Sequence, residues 1–264
     1  MLRGKNILVT GGLGFIGSRL VSELKKDNNV EIADIKMNSI ESVLSSLQNH
    51  FDIIYHLGMP SSAPMMDHNV TSFCQVIRDF DIIKEYCEIV YPRLVIASTS
   101  SLYRKCPIPN NESFKVEPFD YYTLSRYNIE LMSKDLDSIC LRLFSVYGGD
   151  EAKGKYANVI TQMKKGYFEI YGDGTQTRDF IHVDDVVRAF IIAGESDKRG
   201  VYNVGTGVET SFNEIAKLTD CRCRYIDNPI EKYVYRTCAD TTKTERDLGF
   251  KAKVCLSKEV VFGC

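Results

Sequence analysis

Thr10-Gly11-Gly12-Leu13-Gly14-Phe15-Ile16-Gly17 is the stretch on which the fold turns. It leaves an apolar run, Lys5 to Thr10 (KNILVT), and opens a helix-period segment from Phe15 to Lys26 with Ile16, Leu20, Val21 and Leu24 on one face. Strand, glycine turn and helix in that order make a phosphate cradle. Gly11 permits the tight turn, Gly14 lets the backbone approach a pyrophosphate, and Gly17 allows close packing of helix on strand. Phe15 and Ile16 stand at the helix start, where N–H groups and a positive partial charge face an anion. A second strand, Asn29 to Asp34 (NVEIAD), ends in an acid. Asp34 can accept hydrogen bonds from both hydroxyls of an adenosine ribose and would repel a 2′-phosphate, so the expected cofactor is NAD, not NADP.

Outward from this stretch the chain alternates. Ile40, Val43, Leu44 and Leu47 recur at helical spacing, and Asp52 to Leu57 (DIIYHL) reads as a strand. A long helix follows with Phe73, Val76, Ile77 and Phe80 inward. Arg93 to Ser98 (RLVIAS) is another strand, Tyr121 to Leu136 a helix, and Ile139 to Phe144 (ICLRLF) a strand. Such alternation predicts an α/β fold, a doubly wound parallel sheet of Rossmann type with ligands at the carboxyl ends of its strands. After Ser145 the rhythm changes. Asn158 to Lys165 reads as a helix, Tyr171 to Thr177 (YGDGTQT) as a loop, Val183 to Gly194 as a helix and Gly200 to Val204 as a short strand. The tail carries one small helix, Asn213 to Thr219, and no further strong element. The expected division is a dinucleotide-binding domain, 1–150, that also receives about 176–206, and a small substrate-binding lobe, 151–264, woven into it.

Composition narrows the function classes. The 264 residues are 44% hydrophobic and 26% charged, which excludes a disordered chain. Lys+Arg 33 against Asp+Glu 35 leaves a net charge of -2, with no global basic field for nucleic acid or an anionic membrane. No apolar run reaches the roughly 18 residues of a spanning helix, and strand-like sequence by Asn6 leaves no room for a signal peptide. A cytoplasmic location is expected. The nine cysteines are scattered without a CxxC; the closest pair is Cys221 and Cys223, and all are read as reduced thiols. His56, His68 and His182 lack metal-ligand spacing, so no metal is expected.

A second constellation suggests redox chemistry at a hydroxyl-bearing carbon. RLVIAS runs into Thr99-Ser100-Ser101-Leu102-Tyr103, and Tyr122 and Arg126 lie four apart on one helical face. A fixed cation beside a phenol favours phenolate, which can take a proton from a sugar hydroxyl while hydride leaves the same carbon for nicotinamide. Thr99 at the strand tip can polarise that oxygen. By itself, a Tyr/Arg helix pair is usually a surface contact.

The ordered motifs together resemble the extended short-chain dehydrogenase/reductase family, the nucleotide-sugar epimerases and dehydratases. TGGLGFIGS resembles its glycine motif, DIIYHLG (Asp52 to Gly58) its HLAA strand end, and STSSLY (Ser98 to Tyr103) its SSxxVYG segment. LRLFSVYGG (Leu141 to Gly149) resembles LRxxNVYGP, and YGDGTQTRDFIHVDDVVRA (Tyr171 to Ala189) is the most specific match. VYNVGTGVETS and ADTTKTERDLGF complete the series. The resemblance implies Tyr122 as acid/base, assisted by Thr99 and Arg126. It places Leu57, Gly58, Asn69, Ser98, Tyr122 and Arg126 with the glycines and Asp34 around NAD. It places Thr99, Ser100, Ser101, Ser145, Asn158 and Arg178 around a nucleotide-sugar substrate, with UDP the expected nucleotide. Arg178 would grip the diphosphate, a fork matched to phosphate oxygens, against the blander reading of an internal ion pair with Asp179. Asp184 and Asp185 are expected to cap the next helix.

Departures from the family pattern shape the reading. Arg126 stands where the family has Lys, and Ser145 where it has Asn. Only residues 35–51 separate the second strand from DIIYHL, too few for the family's extra strand and helix, so strand three of the sheet is expected to be missing and the second strand to form an edge. The adenine would then lack one wall. Ser100 and Ser101 replace the acids that 4,6-dehydration needs. The favoured reaction is nucleotide-sugar 4-epimerisation by transient oxidation at C4. A keto-sugar reductase or dehydrogenase is the alternative within the family, and a nucleotide-binding regulatory protein on a decayed enzyme fold is the alternative outside catalysis. By analogy with the family, a homodimer would form through the helices around Phe73 to Glu88 and Tyr122 to Leu136.

Overall fold

The computed structural model describes residues 2–45, 50–66, 69–149, 151, 157–230 and 233–262. In chain order these form β1 (Asn6–Thr10), α1 (Phe15–Leu24), β2 (Asn29–Ala33), α2 (Ile40–Leu44), β3 (Ile53–His56), α3 (Ala63–Met66), α4 (Val70–Val90), β4 (Arg93–Thr99), a 3-10 turn (Ser100–Tyr103), α5 (Tyr121–Met132) and β5 (Ser138–Leu143). There follow β6 (Ser145–Tyr147), α6 (Val159–Met163), β7 (Tyr167–Tyr171), β8 (Thr177–His182), α7 (Val183–Glu195), β9 (Gly200–Val204), β10 (Glu209–Ser211), α8 (Phe212–Leu218), β11 (Arg222–Ile226), α9 (Thr242–Leu248) and α10 (Lys258–Phe262). Leu47 and His68 lie outside the described residues.

Six strands form the main sheet in the order β2-β1-β3-β4-β5-β9. β1 pairs in parallel with both β2 and β3, and β3 with β4. Ile7, Leu8 and Val9 of β1 are completely buried, as are Leu94, Val95 and Ile96 of β4, because both faces of a parallel sheet are covered. On one face Leu8, Ile54, Leu94 and Ile96 pack with Val43 and Leu44 of α2, Val76, Phe80 and Ile83 of α4, and Tyr122 and Ile129 of α5. The helical spacing read from the sequence supplies these contacts.

The sheet is the Rossmann type, and among the described residues its strand three is absent. Among the described residues β2 is an edge strand, and beyond it the chain turns back at once through an isolated bridge between Asp34 and Asn38. The short β2 carries Asn29 and Glu31, the polar content that discourages edge-to-edge pairing.

The chain divides into two compact units. The first comprises Met1–Thr99, Pro118–Arg142 and Val187–Tyr202; the second comprises Ser100–Glu117, Leu143–Val186 and Asn203–Cys264. This partition runs differently from boundaries at 150 and 176–206. The segment returning to the first unit is shorter, and residues 100–117 and 143–149 group with the second. In that unit β8 pairs antiparallel with β10 and parallel with β6, and β11 pairs parallel with β7. Its core holds Tyr147, Ile160, Met163, Ile170, Phe180, Phe212, Ile215 and Val261. The sequence reading did not assign β7, β8, β10, β11, α9 or α10. All are short, and β11 finds its partner more than fifty residues upstream, where local periodicity carries no signal.

Candidate functional site

The cradle is built by backbone approach. Gly11 has φ 69°, a left-handed conformation that favours glycine, and a Cβ there would lie 2.7 Å from Gly58 Cα. A Cβ on Gly17 would lie 2.1 Å from the Gly11 carbonyl oxygen, so α1 could not sit this close to the turn with any larger residue. Gly14 caps α1 without a side-chain hydrogen bond, and the first turn carries no acid. This helix start fits the pyrophosphate of a dinucleotide. Asp34 leans over the same turn and accepts hydrogen bonds from the Leu13 amide at 3.1 Å and the Lys36 amide at 3.1 Å.

Thr10 Oγ1 ties the floor of the cradle together. It accepts from the Gly58 amide at 3.0 Å and lies 2.8 Å from His56 Nδ1. His56 is completely buried, and burial, with the Arg126 charge adding to it, holds the imidazole neutral by pushing it down to about 3. Its role is to join the ends of β1 and β3, which brings Leu57 and Gly58 beside the glycine turn. Asn69 caps α4, its side chain accepting from the Ser72 amide at 3.1 Å.

Tyr122 stands in the first turn of α5, fixed by a capping box. Asp120 accepts from the Thr123 amide at 2.7 Å, and Thr123 Oγ1 accepts in return from the Asp120 amide. The Tyr122 ring is buried in the core, and its hydroxyl donates to the Ser61 carbonyl at 3.2 Å. Arg126, one turn on, is buried with its guanidinium carbon 5.1 Å from the centre of the Tyr122 ring. Its nitrogens donate to the Pro60 carbonyl and the Met59 sulfur. No carboxylate pairs with it among the described residues. Burial therefore pulls the guanidinium below its ordinary value, opposed only by Tyr122. Thr99 ends β4, the strand against which α5 packs. The sequence reading missed the Met59–Ser61 segment, which makes all three of these polar contacts.

Ser98, expected near the cofactor, donates its hydroxyl to Glu130 Oε1 at 2.6 Å inside the sheet–helix interface. Arg142 holds the same carboxylate with two further hydrogen bonds, at 2.9 and 2.7 Å. Glu130 lies one turn beyond Arg126 on the face that carries Tyr122, and an arginine inside the apolar strand ICLRLF was the one sequence signal for it.

The second unit holds the remaining expected positions. Ser100 and Ser101 open the 3-10 turn, and Ser145 begins β6, paired with Phe180 of β8. Asn158 caps α6 by accepting from the Ile160 amide at 2.8 Å and donates to the Val146 carbonyl at 2.8 Å. Arg178 does not pair with Asp179. Its guanidinium carbon lies 5.5 Å from the Phe212 ring centre and 5.6 Å from that of Tyr233, and it donates to the carbonyls of Thr177 and Tyr235. Asp179 turns the other way and accepts from the amides of Thr206, Gly207 and Ala239 and from the Thr206 hydroxyl. Asp184 and Asp185 do lie in the first turn of α7, but Asp185 accepts from the amides of Lys253 and Val254 and so anchors the C-terminal segment. Among the described residues no cluster of His, Cys, Asp and Glu could hold a metal, and no helix is long and apolar enough to cross a membrane.

The model of the NAD dependent epimerase/dehydratase family matches residues 7–205. A putative UDP-glucose 4-epimerase of Methanocaldococcus jannaschii is 28% identical, with 96% of this chain and 95% of the relative aligned. The solved UDP-N-acetylglucosamine 4-epimerase from Methanobrevibacter ruminantium M1, in complex with UDP-N-acetylmuramic acid, is similar with a TM-score of 0.86 at 26% identity, covering 98% of this chain and 96% of that one. MoeE5 in complex with UDP-glucose and NAD is similar with a TM-score of 0.83 at 27% identity, covering 97% and 96%.

Proposed function

Because the chain belongs to the NAD dependent epimerase/dehydratase family, we propose that it is an NAD-dependent nucleotide-sugar 4-epimerase acting on a UDP-linked hexose. The observation that carries this reading is Tyr122 and Arg126 on one face of α5, the guanidinium 5.1 Å from the phenol ring centre. Gly11, Gly14, Gly17 and Asp34 would hold the dinucleotide, and bound NAD would supply a hydride acceptor that later returns the hydride. Tyr122 takes the proton from the sugar hydroxyl and gives it back, its oxygen exchanging the Ser61 carbonyl for the sugar. Arg126 keeps its positive charge beside the phenol ring while the proton moves to and from the oxygen. Thr99 donates to the same sugar oxygen, and the Arg178 guanidinium binds the diphosphate. Ser100 and Ser101 offer no carboxyl group, which argues against dehydration.

The test is to incubate the protein with NAD and UDP-glucose and follow the sugar by NMR. UDP-galactose should accumulate to equilibrium, without net consumption of NAD. If neither these sugars nor their N-acetyl forms interconvert, the epimerase reading fails. Consumption of reduced cofactor with a keto-sugar would favour the reductase reading, which the edge position of β2 supports because it leaves the adenosine side of the cradle open to exchange. The pairing of two copies through α4 and α5 is part of this proposal. Tyr121, Leu124 and Leu131 expose an apolar stripe along α5, and light scattering at the mass of one chain would exclude the dimer.

Asp34 carries a separate expectation. Asp34→Ala should weaken NAD binding by roughly 1–3 kcal/mol in calorimetry, since it removes charge-assisted hydrogen bonds to the ribose and also releases the Leu13 amide. An unchanged Kd would mean that the ribose is held elsewhere.

A further inference from the structure

The second unit carries a pair of thiols that the proposed reaction does not use. α8 ends at Leu218, Asp220 takes a left-handed turn with φ 50°, and the Cys221 amide bonds back to the Ala216 carbonyl at 2.9 Å. The chain then enters β11, so Cys221 and Cys223 emerge two residues apart beside the same face of the strand. Both are half-buried against the apolar core of this unit. Cys223 Sγ lies 3.7 Å from the Cys221 carbonyl oxygen, and Cys221 Sγ lies 3.7 Å from the Arg222 carbonyl oxygen. Both line an open cavity of about 650 Å³ whose wall also includes Asn213, Lys217, Asp220 and Tyr225. Asp220 is paired with Lys258, and Lys217 is the cation among the residues that line the cavity. Two sulfurs at an open cavity with a lysine in its wall have the parts of a thiol–disulfide exchange site: an attacking sulfur, a resolving sulfur and a place for a small charged partner.

We propose that Cys221 and Cys223 form a dithiol exchange site whose cavity receives an anionic low-molecular-weight disulfide, one with a carboxylate on each half. Burial and the neighbouring sulfur push the Cys221 thiol up to about 11, and Cys221 is assigned the resolving role and Cys223 the attacking one. The Cys223 thiolate forms a mixed disulfide with one half of the partner, whose own S–S bond breaks, and the other half leaves as a thiol after taking up the proton that Cys223 lost. Cys221 then attacks Cys223 Sγ, its proton passing to the second half, which leaves as a thiol. The dithiol loses two electrons and two protons, and the partner disulfide gains them as two free thiols.

The experiment uses the full chain and oxidised glutathione as the probe. After oxidation, remaining thiols are alkylated and the protein is cut after arginine. Cleavage after Arg222 leaves Cys221 and Cys223 on different peptides, joined only if the disulfide has formed. The exposed Cys74 and Cys255 serve as internal references. The joined pair should form about tenfold faster than either reference is glutathionylated, and uncharged hydroxyethyl disulfide should lose most of that preference. Cys221→Ser should stop at a stable mixed disulfide on Cys223. Free, alkylated Cys221 and Cys223 in the wild type, or reaction no faster than at Cys74 and Cys255, would overturn the proposal without reliance on any variant.

Discussion

Tyr122→Phe should leave a folded protein that binds NAD and UDP-sugar as the wild type does and turns over about 10²–10⁴-fold more slowly, the range expected when a positioned acid/base is removed. The ring is packed with Ile129, Phe80 and Met66 in one cluster, and phenylalanine keeps those contacts. The hydroxyl contributes one hydrogen bond, to the Ser61 carbonyl, so its loss costs stability only about 0.5–1.5 kcal/mol. The Arg126 guanidinium still lies over the ring, and the capping box that fixes the helix start involves Asp120 and Thr123, not residue 122. The variant therefore separates chemistry from architecture. NMR of the sugar reads turnover, and calorimetry with NAD and with UDP-glucose reads binding. An undiminished rate would remove Tyr122 from the reaction; lost binding with lost rate would make it a packing residue.

The parts of this site that the sequence disclosed are those built from neighbouring residues. The glycine spacing of 11, 14 and 17 requires a strand before it and a helix after it, and both are there. The short interval of 35–51 foretold the edge strand, because a strand and a crossover helix need more chain than that. Tyr122 and Arg126 share a face because four residues make about one turn. What stayed hidden depends on distant segments. Arg126 meets Met59 and Pro60 across more than sixty residues, and no pattern in HLGMPSS announces it. The motif places Ser98 near the cofactor but does not disclose that its hydroxyl bonds to a carboxylate thirty-two residues away. Asn69 and Asn158 bear helix caps, a role that local sequence suits equally well. Arg178 lies against Phe212 and Tyr233, one at the start of α8 and the other in an irregular tail, so the ring contacts were beyond any periodicity argument.

Glu130→Ala should lower the unfolding free energy of the protein by about 3–5 kcal/mol, seen as an earlier urea midpoint. The carboxylate, Arg142 and Ser98 are all buried. Oε1 accepts from both Ser98 and Arg142 Nε, and Oε2 accepts from Arg142 Nη2, so the removal takes the counter-charge from a buried cation and the acceptor from a hydroxyl together. An unpaired buried charge is far costlier than the pair was favourable, because burial of the two ions was itself offset only by their mutual attraction. That asymmetry supplies the control. A triple replacement, Glu130→Leu with Arg142→Met and Ser98→Ala, should regain most of the stability, since it removes the carboxylate, the guanidinium and the hydroxyl together and nearly keeps volume. The two outcomes also separate packing from register. Glu130 sits two turns beyond Tyr122 on the same helix face, and it fastens α5 to the end of β4, at Ser98 immediately before Thr99, and to β5. If the triple variant is stable but turns over slowly, the buried ion pair sets the position of Tyr122 relative to Thr99; if it is stable and fast, apolar packing alone fixes the catalytic helix. Loss of less than about 1 kcal/mol in Glu130→Ala would mean that water reaches Arg142, and the pair would then count as no more than a surface contact.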